Sequence, residues 1–287
     1  MTTTFDAHEA LKRYRTDWRL TPDGEAFDTH SSVLQPVLFE GAKAMLKYPT
    51  GEEERRGAAA MVYWAGDGAA KVLKGDGKAQ LLERLADDIS LVSMAQGDQD
   101  SQATQILCGV AAALHTPRSA GQPSSLAPLD RWFSALNTAA ARADANQPLF
   151  LAAQAIAKPL IARPLKAVVL HGDIHHANVL HDPVRGWVAI DPKGLIGDHG
   201  YDYANMLCNP TAAVALAPGR LVAQAQVVAQ ASGMSLERVL SWVAAYSALS
   251  AAWSIESMPQ HVEAGLAMAR LAQAELAALP KAAAAPA

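Results

Sequence analysis

One stretch of the chain decides its fold, namely His171-Gly172-Asp173-Ile174-His175-His176-Ala177-Asn178. A short apolar run precedes it, and two more follow it on either side of the turn-like segment Asp182–Gly186. Apolar runs separated by turn residues are typical of short strands, so the pattern predicts a strand, a loop and a β-hairpin. The hairpin brings Asp191, at the end of its second strand, back beside Asn178.

The three residues Asp173, Asn178 and Asp191 carry the oxygen atoms that phosphoryl transfer needs. That reaction uses a carboxylate to orient the attacking hydroxyl and accept its proton, and oxygen ligands to hold magnesium against the phosphates. Four residues separate Asp173 from Asn178, which is the spacing of the base and the metal-binding Asn in the kinase catalytic loop. The sequence therefore predicts that the three residues converge on one site.

These residues also resemble a known family. The pattern His-Gly-Asp-x-His-x-x-Asn with an Ile-Asp-Pro hairpin is similar to the aminoglycoside phosphotransferase family of kinase-like enzymes. The continuation through residues 191–197, Ala204–Met206 and Asn209-Pro210 is most similar to the streptomycin 6-phosphotransferase and hydroxyurea phosphotransferase branch, the aminoglycoside/hydroxyurea antibiotic resistance kinases. The resemblance is specific between His171 and Pro210 and weaker upstream.

The resemblance implies a two-lobed, protein-kinase-like α+β fold. Residues 1–84 are expected to form an N-terminal nucleotide-binding lobe, an antiparallel sheet with one helix. Residues 85–287 are expected to form a mainly helical C-terminal lobe with the catalytic loop and the substrate site. The implied activity is ATP-dependent, Mg²⁺-dependent phosphorylation of a hydroxyl group on a small molecule, either a streptomycin-like aminoglycoside or hydroxyurea.

Site residues in the C-terminal lobe follow from the same resemblance. It makes Asp173 the catalytic base, Asn178 and Asp191 the magnesium ligands, and His171 a structural residue that braces the loop. Asp202 is expected to be structural, capping backbone N–H groups and bracing the catalytic loop.

In the N-terminal lobe, Lys47 resembles the strand lysine that contacts the ATP phosphates. Glu54 resembles the helix glutamate that pairs with this lysine, which is sensible because a nearby carboxylate fixes a long, flexible ammonium side chain. Glu53 remains an alternative to Glu54, since helix phase cannot be set to one residue from sequence.

The pattern departs from protein kinases where the phosphates should be covered, since no Gly-x-Gly-x-x-Gly loop is present. The corresponding stretch, Asp28–Ser32, offers backbone amides and the hydroxyls of Ser31 and Ser32 as phosphate-binding groups. Glu83 lies in the segment Leu81–Arg84, where we place the hinge that binds adenine through backbone groups.

Secondary structure in the first third supports this arrangement. Short apolar runs predict strands over Val33–Phe39, Lys43–Tyr48 and Ala69–Leu73, with another possible at Gln80–Glu83. A helix is predicted over Glu52–Trp64, because three acidic residues suit its positive N-terminal end. From Leu85 onward, apolar spacing near 3.6 residues predicts mostly helix.

Composition excludes several other classes of protein. The 287 residues are 51% hydrophobic, enough for a substantial core, and a net charge of −4 provides no field for nucleic acid or an anionic membrane. Two cysteines cannot build the disulfide framework of a small secreted domain. With no signal peptide and no membrane span in the pattern, we expect a cytoplasmic enzyme. The sequence leaves its oligomeric state open.

Two other classes of function stay open from the residues themselves. His171, Asp173, His175 and His176 have the short spacings of a hydrolase metal cluster, although they lack downstream partners. A silent nucleotide-binding pseudokinase is the other class. In the kinase interpretation, His175 and His176 are loop residues on the substrate side.

The acceptor is the least determined part of the prediction. A polycationic drug calls for several carboxylates around the acceptor. Asp198 either faces such a substrate or holds the loop, and Glu237, Glu256 and Glu263 are further candidates, although Pro259 should interrupt any helix through the last two. A cellular sugar, amino alcohol or ketosamine is the alternative acceptor.

Overall fold

The computed structural model describes residues 2–86, 88–142 and 144–280. The Ala/Pro-rich segment Lys281–Ala287, for which the sequence predicts a frayed end, lies outside the described residues. Within the described part, no helix is long and apolar enough to cross a membrane.

Among the described residues, six strands and two helices lie before residue 85, and helices dominate the rest. The helices are α1 (Thr2–Asp17), α2 (Glu52–Trp64), α3 (Leu91–Gln96), α4 (Asp100–Leu114), α5 (Leu129–Trp132), α6 (Ser134–Ala141), α7 (Gln147–Ala162), α8 (Gly200–Leu207), α9 (Ala212–Ala215), α10 (Arg220–Ser232), α11 (Leu236–Ser257) and α12 (Pro259–Ala278). The strands are β1 (Thr21–Pro22), β2 (Phe27–Asp28), β3 (Ser32–Phe39), β4 (Ala42–Pro49), β5 (Val72–Gly75), β6 (Gln80–Glu83), β7 (Ala127–Pro128), β8 (Ala167–Leu170), β9 (Val179–Asp182), β10 (Gly186–Ala189) and β11 (Leu195–Asp198).

The N-terminal sheet is antiparallel throughout, in the order β1-β3-β4-β6-β5, with β2 also paired to β3. The predicted strands Val33–Phe39, Lys43–Tyr48 and Gln80–Glu83 are therefore present. The strand predicted over Ala69–Leu73 is displaced, because Ala69 pairs with Ala189 and β5 begins only at Val72. That pairing attaches the β5 segment to the β9–β10 hairpin.

Strand β4 shows how the sheet separates its core face from its functional face. Side chains alternate along a strand, and Ala44 and Leu46 are fully buried in a core that includes Leu11 of α1. Met45 and Lys47 point to the opposite face, where they line a cavity. Because β4 packs Ala44 and Leu46 into the core with α1, Lys47 points away from α1 and toward the C-terminal part of the chain.

Helix α2 spans the predicted residues Glu52–Trp64 and packs backbone to backbone against the segment after β10. A Cβ atom on Gly57 would lie 1.8 Å from the carbonyl oxygen of Pro192. Gly194, with φ of 65°, also lies against α2, since a Cβ there would come within 2.4 Å of the Arg56 backbone. Only glycine permits this approach, which brings Glu54 beside the segment that follows Asp191.

The C-terminal part buries a large core of helices around two small sheets. Strands β9 and β10 form an antiparallel hairpin, and β11 pairs antiparallel with β8 and parallel with β7. Helix α11 ends at Ser257, and α12 begins at Pro259. The antiparallel sheet followed by a mainly helical part agrees with the predicted α+β fold, although residues 1–84 hold two helices, α1 and α2, where one was predicted. The domain boundary after residue 84 stays a prediction.

The contact at Gly57 leads to a stability prediction. We expect Gly57→Ala to lower the free energy of unfolding by about 1–3 kcal/mol, because the added methyl group must push α2 away from Pro192. Gly109→Ala is the matched control, since Gly109 is an exposed glycine on α4 with nothing within 4 Å of its Cβ position. It should raise stability by about 0.5–1 kcal/mol through helix propensity alone. Urea unfolding measures both, and equal effects would contradict the close packing of α2.

Candidate active site

The predicted catalytic loop follows β8, and His171 at its start is fully buried. Nε2 of His171 donates to the carbonyl oxygen of Ile190 at 2.8 Å, and Nδ1 accepts the backbone N–H of Asp173 at 3.2 Å. Burial lowers the pKa of His171, so the ring is neutral with one donor and one acceptor nitrogen. The ring thereby joins the loop to the residue before Asp191.

Asp202, in the first turn of α8, holds the other side of the loop. Its fully buried carboxylate accepts the backbone N–H of His171 at 2.9 Å, that of Gly172 at 2.8 Å, and Nε2 of His115 at 2.8 Å. Burial alone would raise the pKa of Asp202, but His115 and the backbone hydrogen bonds outweigh burial and lower it. The amides that Asp202 binds belong to the loop, and not to its own helix.

Asp173 has a half-buried side chain whose direction is set by two amide groups. Nδ2 of Asn205 donates to Oδ1 of Asp173 at 3.0 Å, and Nδ2 of Asn178 lies 3.4 Å from Oδ2. Asn205 is itself fixed, because its Oδ1 accepts the Tyr246 hydroxyl at 2.7 Å and Nδ2 of Asn209 at 3.0 Å. These contacts orient the carboxylate and leave its side chain 30% exposed.

Asn178 and Asp191 meet at the open end of the β9–β10 hairpin. The N–H of Ile190 donates to the carbonyl oxygen of Asn178 at 2.9 Å, which extends the ladder by one step. Nδ2 of Asn178 also donates to the carbonyl oxygen of Asp173 at 2.9 Å, so its amide oxygen points elsewhere. Asp191 has φ of 59°, a conformation that non-glycine residues adopt mostly at special sites. The hairpin thus gathers two oxygen-bearing side chains next to Asp173.

Lys47 reaches from β4 to this group. Its ammonium group contacts the carboxylates of both Glu54 and Asp191. Burial alone would raise the pKa of Asp191, but the ammonium groups of Lys47 and Lys193 outweigh burial and lower it to about 2. Of the two glutamates that the sequence leaves open, the buried Glu54 pairs with Lys47, and the more exposed Glu53 lies 3.5 Å from Lys193.

The serines predicted to bind phosphate instead hold Glu54. The hydroxyl of Ser31 donates to one oxygen of the Glu54 carboxylate at 2.8 Å, and that of Ser32 donates to the other at 3.2 Å. Ser32 is buried as the first residue of β3, and among the predicted loop residues it is Thr29 that lines the cavity beside Lys47. A buried carboxylate needs hydrogen-bond donors, and these hydroxyls supply them.

Lys193 belongs to the site although the sequence analysis gives it no role. Its Nζ lies 3.0 Å from Oε1 of Glu54 and 3.8 Å from Oδ2 of Asp191. Burial alone would lower the pKa of Lys193, but the carboxylates of Asp191 and Glu54 outweigh burial and raise it. The only signal in the sequence is its place two residues after Asp191, which does not reveal a contact with α2.

A cavity of about 760 Å³ lies between the N-terminal sheet and the β9–β10 hairpin. The predicted hinge forms part of its wall, but the Glu83 carboxylate is occupied, because it accepts the Lys71 N–H at 2.6 Å and pairs with Arg185. The backbone N–H of Glu83 is engaged as well, because it donates to the carbonyl oxygen of Lys71 at 3.0 Å. The cavity is lined by Phe27, Thr29, Leu34, Lys43, Met45, Lys47, Ala70, Leu82, Glu83, Arg84, Leu85, Ala86, Asn178, Leu180, Ile190 and Asp191.

A second cavity, of about 520 Å³, has Asp173 among its lining residues. His175 lines it, with Nε2 at 3.8 Å from Oδ1 of Asp173. Asp173 is the one carboxylate among the described residues that line this cavity. The remaining lining residues are Asn205, Cys208, Asn209, Pro210, Thr211, Ala212, Ala215, Leu216, Tyr246, Ser247, Ser250, Ser254, Met258, His261, Ala264, Gly265 and Met268.

Two residues expected on the substrate side are buried in the protein. His176 is 2% exposed, and burial lowers its pKa to about 4. Asp198 is 1% exposed and accepts the N–H groups of Leu165 at 2.6 Å and Gly200 at 2.8 Å, while Arg238 pairs with it at 2.7 Å. Asp198 therefore holds the loop before α8, and the alternative that it faces a cationic substrate is wrong.

The other nominated carboxylates are not among the lining residues of the second cavity. Glu256 pairs with Arg142 at 2.7 Å, and Glu263 pairs with Arg270 at 2.8 Å. As the sequence indicates, no single helix joins them, because α11 ends before Pro259. Glu237 lies in the first turn of α11 and is not a lining residue.

The geometry gives the hydrolase hypothesis no metal centre. In residues 2–86, 88–142 and 144–280, no group of three or more His, Cys, Asp and Glu side chains is placed to hold a metal ion. The ring of His171 is engaged with Ile190, and His176 is buried away from Asp173.

Comparison with known proteins gives a family and close relatives. The sequence model of the family described as aminoglycoside/hydroxyurea antibiotic resistance kinase matches residues 17–257. The chain is 43% identical to streptomycin 3''-kinase of Klebsiella pneumoniae over 243 residues, which cover 83% of this chain and 90% of that protein. It is 32% identical to streptomycin 6-kinase of Streptomyces griseus over 194 residues, which cover 64% of this chain and 61% of that protein.

A solved structure supports the fold. The choline kinase LicA from Streptococcus pneumoniae superimposes with a TM-score of 0.65 at 14% identity, covering 95% of this chain and 99% of that one. This likeness confirms the kinase-like architecture predicted from the sequence. The family match and the relatives confirm the resemblance seen around Asp173, so the chain belongs to the aminoglycoside/hydroxyurea antibiotic resistance kinases and is a small-molecule phosphotransferase.

Proposed function

We propose that the chain transfers the γ-phosphoryl group of ATP to a hydroxyl group of streptomycin, with Mg²⁺ as the metal. One observation carries the proposal, which is the contact between residues of the two cavities. Asn178 and Asp191 line the first cavity, Asp173 lines the second, and Nδ2 of Asn178 lies 3.4 Å from Oδ2 of Asp173. A donor and an acceptor can therefore meet at Asp173.

The first cavity suits Mg·ATP by the chemistry of its lining groups. The carboxylate of Asp191 and the amide oxygen of Asn178 are hard oxygen ligands of the type that Mg²⁺ prefers, and we assign them to the metal. Lys47 supplies an ammonium group for phosphate oxygens, and Met45 and Leu82 provide apolar surface for the adenine ring. Bound Mg²⁺ supplies neutralising charge for the phosphates.

The acceptor hydroxyl lies in the second cavity in this proposal, hydrogen-bonded to Asp173. Asn205 and Asn178 keep the carboxylate directed at that hydroxyl, which becomes the attacking group. A bond forms from the acceptor oxygen to the γ-phosphorus, and the bond from that phosphorus to the β–γ bridging oxygen breaks. The hydroxyl proton passes to Asp173, while Lys47 offsets charge on the phosphate oxygens.

Streptomycin is favoured as the acceptor by the relatives and by the size of the cavity. The relatives with 43% and 32% identity are named as streptomycin kinases. A volume of about 520 Å³ falls in the range of roughly 300–1,000 Å³ that drug-sized ligands occupy. Hydroxyurea, with five non-hydrogen atoms, would leave most of that space unfilled.

The 3''-hydroxyl is favoured over the 6-hydroxyl by the sequence matches to the two kinases and by the charges on the two streptomycin rings. The match to the 3''-kinase covers 90% of that protein, against 61% for the 6-kinase. The 6-hydroxyl belongs to the ring that bears both guanidinium groups. Phosphorylation at this hydroxyl would therefore bring these cations close to Asp173. Asp173 is the one carboxylate among the described lining residues, which suits the less cationic methylamino sugar better.

A second candidate follows from the same scarcity of carboxylates. Hydroxyl, amide and imidazole groups from Thr211, Ser250, Asn209 and His261 line the acceptor cavity. Such groups also suit a sugar or an amino alcohol with little charge. A metabolite of that kind is the alternative acceptor.

The first functional prediction concerns the base. We expect Asp173→Asn to lower kcat by about 10²–10⁴-fold, the usual contribution of a positioned base, without weakening Mg·ATP binding. Asp98→Asn is the control, because Asp98 is an exposed aspartate away from both cavities. Coupled ATP-consumption kinetics and calorimetry give the two quantities. Near wild-type turnover in Asp173→Asn would remove Asp173 from this role.

The second concerns the metal ligands. Asp191→Ala and Asn178→Ala should each raise the Mg²⁺ concentration needed for half-maximal turnover, and Asp191→Ala should have the larger effect because it removes a charge. EDTA should abolish turnover of the wild-type protein. The control is Asn137→Ala, which should leave the Mg²⁺ dependence unchanged. Asn137 is exposed on α6, and its side chain accepts a hydrogen bond from Gln154. Turnover that is independent of Mg²⁺ would contradict the assignment.

The third concerns the acceptor and the position of transfer. Purified protein with Mg·ATP should consume ATP in the presence of streptomycin, and phosphorus–proton NMR of the product should place the phosphate on the 3''-oxygen. A panel of hydroxyurea, choline, homoserine and ketosamines tests the alternatives under the same conditions. Phosphate on the 6-oxygen would overturn the charge argument, and turnover only with a panel compound would overturn streptomycin as the substrate.

A further inference from the structure

Four charged side chains form a closed ring in the candidate active site. Lys47 contacts Oε2 of Glu54 and Oδ1 of Asp191. Lys193 contacts the remaining oxygens of the same carboxylates, with Nζ at 3.0 Å from Oε1 of Glu54 and 3.8 Å from Oδ2 of Asp191. Positive and negative groups thus alternate, and each lysine bridges both acids.

The ring sets a condition on how Lys47 can act. In the proposed function the Lys47 ammonium group must donate to phosphate oxygens. That weakens its ion pairs with Glu54 and Asp191. Glu54 is 1% exposed, so water cannot compensate its charge. An unpaired buried carboxylate is costly, and it would hold Lys47 back. A second cation on the same carboxylates removes this conflict.

Lys193 is fixed to serve as that cation. Its backbone N–H donates to the carbonyl oxygen of His171 at 2.7 Å, which ties it to the catalytic loop. On either side of it, Pro192 and Gly194 lie directly against the backbone of α2 at Gly57 and Arg56. The side chain is 15% exposed and therefore cannot swing freely into solvent.

We propose that Lys193 is a positioning residue, which neutralises Glu54 so that Lys47 is free to bind the phosphates of the nucleotide. The proposal rests on the proposed function, because it presupposes that a nucleotide binds beside Lys47. It assigns Lys193 no contact with substrate. Its effect reaches the phosphates through Lys47, and the adenosine part of the nucleotide does not depend on it.

That separation between phosphate and adenosine provides the test. We expect Lys193→Met to weaken Mg·ADP binding by about tenfold, the effect of losing one hydrogen bond to a charged group, and to leave adenosine binding unchanged. Isothermal titration without any acceptor measures both ligands, so the result does not depend on which acceptor the enzyme uses. In kinetics, the KM for ATP should rise and the KM for the acceptor should not.

Control variants separate this role from simple packing. Lys158→Met, on the exposed face of α7, should change neither affinity. If Lys193→Met does not fold, Lys193→Gln removes the charge and keeps a hydrogen-bond donor. Equal weakening of Mg·ADP and adenosine, or no weakening of either, would overturn the role of Lys193. A wild-type protein that binds neither ligand would instead overturn the proposed nucleotide site.

A double-mutant cycle with Glu54→Gln tests the electrostatic link directly. If Lys193 acts by neutralising Glu54, its loss should matter less once that carboxylate is an uncharged amide. The two substitutions should then be less than additive in Mg·ADP affinity. Strictly additive effects would show that Lys193 acts independently of Glu54 and would contradict the proposal.

Discussion

The candidate active site depends on one buried carboxylate that takes no part in the proposed chemistry. Asp202 accepts the backbone N–H groups of His171 and Gly172, and so it fixes the loop that carries Asp173. His171 in turn donates to the carbonyl of Ile190, next to Asp191. The same helix α8 that carries Asp202 also carries the Asn205 that holds Asp173. Removing one partner from a buried charge typically costs about 3–5 kcal/mol, so this arrangement is strongly enforced.

The environments of Asp202 and Asp173 explain why the two carboxylates have different uses. Asp202 is completely enclosed, and its oxygens are engaged by two amides and by His115, so nothing is left for a ligand. Asp173 receives hydrogen bonds from two side-chain amides and keeps 30% of its side chain exposed. Asparagine side chains donate hydrogen bonds without carrying a charge, so they orient the Asp173 carboxylate toward the second cavity.

Much of the fold could be predicted because its signals are local. The hairpin that joins Asn178 to Asp191 depends on residues close together in sequence, and α2 begins and ends where its acidic first turn and apolar pattern indicate. What could not be predicted depends on contacts across long separations. Asp198 is held by Arg238, forty residues later, and no pattern near Asp198 contains that information. Lys193 is similar, because its contact with Glu54 follows from backbone packing at glycines that look ordinary in sequence.

The proposed chemical groups and the walls of the acceptor cavity come from different parts of the chain. This arrangement would allow the acceptor to vary while the chemistry stays constant. The motif from His171 to Asp191 supplies the proposed base and metal ligands, and it contributes only Asp173 and His175 to the acceptor cavity. The other walls come from α8, the segment that follows it, α9, α11 and α12. Helix α12 can turn back over the cavity because α11 ends at Ser257 and a new helix begins at Pro259. Gly265 brings α12 close to Ala251 of α11, so a larger residue at either position would reshape the cavity without touching Asp173. Substitutions in these walls can therefore change which hydroxyl reaches the proposed base, Asp173, and the loop that carries Asp173 does not determine the substrate alone.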